Sequence, residues 1–165
     1  MQGMTPFGYF HTLISLVAVI SGAISFFREG RISLEDAVGK TYVAFTLATC
    51  ATALVIFHHG GFGPPHALAL ITLVTLAIAA LARLTPVFGR GGRYVETLAY
   101  SATFLFHMIP AVTESTTRLP VGAPLVASAD SPALKAVYAV FLLIFLVGAI
   151  VQSVKLHREY MPRLR

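Results

Sequence analysis

The sequence predicts an all-α protein, a polytopic membrane helix bundle with a four-helix core plus one peripheral helix. Three observations predict it. Hydrophobic residues make up 56% of the 165 residues and charged ones only 12%, whereas a soluble domain carries about 25% charged residues. Mean hydropathy is +0.79, so too few polar groups exist to cover a water-facing surface. Five stretches approach the ~20 apolar residues that a spanning helix needs, and Gly/Pro breakers separate them. Residues 1–165 are therefore expected to form a single integral-membrane domain with five transmembrane helices.

The first span, 7–27, reads "FGYFHTLISLVAVISGAISFF". Its flank "MQGMTPFGY" lacks Lys and Arg, unlike the positive start of a signal peptide. It is expected to stay as a helix. His11, Ser15, Ala18, Gly22 and Ser25 follow helical spacing, a small-residue face that lets another helix approach closely. The second span, 41–58, offers Thr46, Thr49 and Ala53 in the same manner. Its lone cysteine, Cys50, excludes an internal disulfide and reads as a packing residue. The third span, 66–84, follows the loop "HHGGFGPP".

In the fourth span, 94–113, the polar residues Glu96, Tyr100, Thr103 and His107, with Glu114 beyond them, fall on one face. In hydrocarbon such a stripe must face protein or water. Pro110 predicts a kink near His107, because it removes an amide from the helix ladder. The fifth span, 132–156, is apolar almost all round and is expected at the periphery.

Basic residues set the expected topology. All Lys and Arg except Arg118 and Lys135 fall in the first loop, the third loop and the C-terminal segment. Those parts are expected in the cytoplasm and the N-terminus outside. The pI of about 9.7 then reflects a basic face against an anionic leaflet. A nucleic-acid partner is excluded, since no soluble basic module exists. The lipid bilayer is the expected partner, with a larger membrane complex or a homo-oligomer as further options.

With this topology, five of the six histidines share the outer half of the bilayer, and only His157 is cytoplasmic. His11 and His107 reach similar depths on oppositely directed helices. They suit the axial ligands of a haem b and are expected to approach each other. His58, His59, His66 and Glu114 better suit a shallower transition-metal site for Cu, Zn or Fe. The bland alternative makes these residues interfacial or hydrogen-bonded packing groups.

Three functions follow: a redox or metal-handling protein with a His-lined outer site, an accessory or assembly subunit of a larger complex, and a small transporter using Glu96, Tyr100, His107 and Glu114 as a polar path. Hydrolase signatures such as G-x-S-x-G and H-E-x-x-H are absent from the sequence, so an enzyme is not the expectation.

The stretches "HTLISLVAVISGAISFF", "EDAVGKTY", "FGPPHALALITLVTL" and "GRYVETLAYSATF" resemble a family of small bacterial multi-pass membrane proteins of unknown function. His11, Gly39, Lys40, Tyr42, His66 and Arg118 are the matching positions. Glu35 and Asp36 stand where the family has His and Arg, and Lys40 replaces an Arg. The resemblance implies a four-helix core, an added helix and a bacterial inner-membrane location. It implies no activity.

Overall fold

The structure is a computed structural model that describes residues 5–57 and 61–160. Five α-helices follow one another: α1 (Pro6–Glu29), α2 (Ala37–Ala53), α3 (Pro64–Leu84), α4 (Gly92–Arg118) and α5 (Pro132–Tyr160). A 3-10 turn at Pro86–Gly91 leads into α4, and no strand occurs among the described residues. The all-α expectation holds.

Local chemistry sets the helix ends. The Thr5 hydroxyl accepts from the Gly8 N–H at 3.1 Å and starts α1. Gly30, at φ 74, ends it in the left-handed conformation that glycine adopts without penalty. Asp36 caps α2 by accepting from Val38 and Gly39 N–H at 2.7 and 3.0 Å. Those bonds, Gly39's foremost, hold its carboxyl below the usual range. A Cβ on Gly39 would lie 1.8 Å from the Ser33 carbonyl oxygen, so only glycine fits there.

The helices extend one to four residues beyond the expected first, third and fifth spans, and the second and fourth differ more. The second was expected at 41–58, yet α2 covers Ala37–Ala53. The Asp36 cap starts it a turn earlier, and Leu54–Phe57, though apolar, leave the helix. The fourth was expected to end at 113, yet α4 runs through Pro110 to Arg118 as one helix. Beyond the proline, Thr113, Thr116 and Thr117 donate to carbonyls one turn back at 2.6–2.7 Å, and Glu114 pairs with Arg118 along the same face.

Among the described residues, four helical segments are long and apolar enough to cross a membrane: α1, α3, the 3-10 turn with α4, and α5. The 17 residues of α2 rise only about 25 Å, short of the ~30 Å hydrocarbon core. Phe7, Leu13, Ile20, Ile71, Val74 and Ile78 are among many large apolar side chains left exposed. In a bilayer these face lipid. The chain is a membrane-embedded helical protein.

Packing contacts gather the chain into two compact units, Met1–Thr103 and Phe104–Arg165. In the first, α1 packs on α2 and α2 on α3. The residues between them are small: Ala18, Ser21, Gly22 and Ser25 on α1, Thr46 and Thr49 on α2, and Ala69, Thr72 and Ala79 on α3 are buried. Dispersion between closely spaced backbones holds such helices together in lipid, where apolar burial alone gives no drive. In the second unit α5 is the least buried helix: 6% of its apolar window is covered, against 22–33% for the other three spans.

Candidate functional site

The first unit has two chemically distinct ends. At one, Arg83 near the end of α3 gathers two carboxylates. Its guanidinium donates to Glu96 at 2.8 Å and to Glu35 at 3.1 Å. The Arg83 side chain is 31% exposed, that of Glu96 15% and that of Glu35 78%. This clamp ties the α1–α2 loop to the start of α4. Glu96, expected on an open polar path, is instead neutralised by an arginine from the neighbouring helix.

Tyr100, Thr103 and His107 of the α4 stripe are buried, as the spacing predicts, whereas Glu114 is exposed. Tyr100 and Thr103 are 1% and 0% exposed. The Thr103 hydroxyl donates to the Tyr100 carbonyl at 2.8 Å, which leaves its oxygen to accept from the Tyr42 hydroxyl, also at 2.8 Å. That bond joins α2 to α4 inside the first unit. Here the stripe is internal hydrogen bonding.

The opposite end carries the histidines. His11 Nδ1 lies 2.7 Å from the Thr52 hydroxyl oxygen. Thr52 spends its own proton on the carbonyls of Ala48 and Thr49, at 2.9 and 3.0 Å. With the Thr52 proton on those carbonyls, its oxygen accepts from His11 Nδ1–H, the tautomer that presents a lone pair at Nε2. The arrangement is that of an imidazole oriented for ligation, with a hydrogen-bonded partner behind the ring.

His66 behaves in the opposite way. It sits at the third position of α3, where its Nδ1 accepts from the Gly63 N–H at 3.2 Å. The proton is then on Nε2, so this nitrogen offers a donor and not the lone pair a metal needs. The ring is 5% exposed. It stacks on Phe57 with centroids 4.7 Å apart and lies 5.4 Å from Phe62.

Of the expected shallow metal cluster, His66 and Glu114 are the members that the structure describes. His58 and His59 lie outside the described residues. Glu114 is spent on Arg118, both side chains about half exposed. Among the described residues no three His, Cys, Asp or Glu side chains are gathered as metal ligands. His107 is buried, at 6% exposure, and belongs to the second unit, whereas His11 belongs to the first. Also in the second unit, the Tyr138 hydroxyl donates to Thr113 at 2.5 Å, because Thr113 gives its proton to Ile109 O. That bond holds α5 to α4.

Sequence reasoning missed Thr52, Phe57, Phe62 and Arg83. Thr52 and Phe57 lay in the second span but off the Thr46, Thr49 and Ala53 face read there. Arg83 was counted as topology charge, although an arginine near a helix end, on the side that also carries Glu35 and Glu96, was a usable signal. Comparison with known protein families, characterised proteins and solved structures finds no match to this chain.

Proposed function

We propose that this protein is a small integral membrane protein that binds haem b through His11 at the histidine end of its first unit, in a redox or metal-handling role. One observation carries the reading: His11 Nδ1 is held 2.7 Å from the Thr52 hydroxyl, whose bonds to the Ala48 and Thr49 carbonyls favour the tautomer with a lone pair at Nε2. Among the described residues few ligand side chains gather, which favours haem over a bare ion. A porphyrin supplies four nitrogens of its own, so one or two imidazoles suffice, whereas Zn or Cu held by protein needs three or four side chains. The proposal keeps the bacterial inner membrane and an outward-facing histidine end, on the strength of the basic-residue distribution. The family resemblance also stays a proposal. It is supported by the constrained settings of Gly39, Tyr42 and His66, which are three of its matching positions.

The test is the ultraviolet-visible spectrum and metal content of detergent-purified protein, before and after incubation with haemin. The expected result is a Soret band that His11→Ala abolishes. Thr52→Val, which removes only the orienting partner, is expected to weaken haem binding about 10–100-fold. A wild-type chain without a Soret band or bound metal under both conditions rules this reading out and favours the accessory-subunit role.

A further inference from the structure

The histidine end holds a second feature that haem ligation does not use. His66 is 5% exposed, and its Nε2 is buried with no acceptor among the described residues. Buried donors are almost always satisfied, so one that is not points to a missing partner. The tautomer is settled by the Gly63 N–H on Nδ1, so the open group is an N–H. The missing partner is therefore an acceptor.

Its charge can be narrowed. A helix N-terminus usually attracts anions through free amides. Here Pro64 and Pro65 have no N–H, and the amides of His66 and Ala67 are already spent on the Gly63 carbonyl, at 3.0 and 3.2 Å. The α3 terminus thus offers one donor and no anion cradle, which selects a neutral oxygen.

Its shape can be narrowed as well. The imidazole stacks on Phe57 at an interplanar angle of 25° and lies at 31° to Phe62. Both phenyl rings are more than half exposed, at 57% and 65%. Phe62 is carried between Gly61 and Gly63, and a Cβ at Gly61 would meet nothing. Phe62 is thus an exposed wall of the site with open space beside it. A carbonyl that accepts from Nε2–H lies in the imidazole plane, so a ring bearing that carbonyl continues the plane along the same phenyl faces. The α3 helix is itself long and apolar enough to span a bilayer, which places its first turn where bilayer-dissolved molecules arrive.

We propose that His66, flanked by Phe57 and Phe62, is the recognition donor for a carbonyl of a membrane-dissolved quinone. The site binds the quinone as an uncharged planar acceptor, and no redox step is assigned to it.

The test uses the full chain with ¹⁵N-labelled histidine in nanodiscs of ether-linked phosphatidylcholine, which has no ester carbonyls. Decylubiquinone is the probe. The His66 Nε2–H resonance, identified by its absence in His66→Phe, is expected to move downfield and saturate on titration. His66→Phe keeps a ring in the stack and loses the donor. It is expected to weaken binding at least tenfold, with partial recovery in His66→Gln, which restores an N–H. His11→Ala is expected to bind decylubiquinone as the wild type does, so this site and the haem reading fail separately. A His66 resonance unmoved by saturating quinone overturns the proposal. So does a shift that appears on changing to ester-linked lipid and ignores quinone, because the acceptor is then a phospholipid. If His66→Phe fails to fold, the wild-type titration decides alone.

Discussion

Gly39 is the position with the least freedom. Any side chain there starts 1.8 Å from the Ser33 carbonyl oxygen, and the obstacle is backbone. Gly39→Ala is expected to lower stability by about 1–3 kcal/mol, the usual cost of overpacking, and to reduce the yield of folded protein. Thermal unfolding followed by circular dichroism in detergent reads this. Asp36, three residues earlier, gives a pH-dependent counterpart. Its carboxyl is held below its ordinary value by the Gly39 and Val38 amides. The stabilisation is therefore complete above the ordinary carboxylate range and is lost as pH falls through the lowered value. Asp36→Ala is expected to cost about 1 kcal/mol at neutral pH, the usual worth of an N-cap. The difference between variant and wild type should shrink in acid, and a constant difference from pH 7 to pH 2 would refute the cap's role.

Between elements, the two bonds of the Arg83 clamp differ in worth because their settings differ. Arg83, itself 31% exposed, meets Glu96 at 15% side-chain exposure and Glu35 at 78%. Solvent-accessible ion pairs contribute ~0–1 kcal/mol, the less exposed ones at the upper end. Glu96→Gln is thus expected to destabilise by about 1 kcal/mol and Glu35→Gln by less than ~0.5. A double-mutant cycle with Arg83→Gln separates the two couplings, and equal values would contradict the burial difference. The Tyr42–Thr103 bond is fully enclosed. Tyr42→Phe leaves the Thr103 oxygen without its donor, at an expected cost of about 1 kcal/mol, measurable in the same unfolding assay.

For the whole molecule, the Arg83 clamp has a topological meaning. By joining Glu35 of the first loop to Glu96 at the start of α4, it puts the first and third loops at one end of the first unit. The basic-residue count assigns those same loops to one side of a membrane. The orientation itself is a prediction from charge. A cysteine at Gly61 is expected to react with an impermeant maleimide in intact spheroplasts. One at Arg163, in the C-terminal segment outside the described residues, is expected to react only after permeabilisation. The inverse labelling pattern would turn the histidine end toward the cytoplasm.

Composition and periodicity alone determined the fold class, the small-residue face of α1 and the buried α4 stripe. Each follows from repetition: apolar length sets the span, and a helical repeat of polar or small residues sets the inward face. The register of α2 needed the Asp36 cap and the Gly39–Ser33 approach, which hydropathy does not register. The roles of the histidines needed still more. By sequence His11 and His66 are the same group at the ends of two apolar helices. Thr52 favours a lone pair on one and the Gly63 amide makes the other a donor. A proton's position on an imidazole depends on the atom opposite its Nδ1, and for His11 that atom, on Thr52, is 41 residues away in the chain. Only the tertiary structure could bring it there.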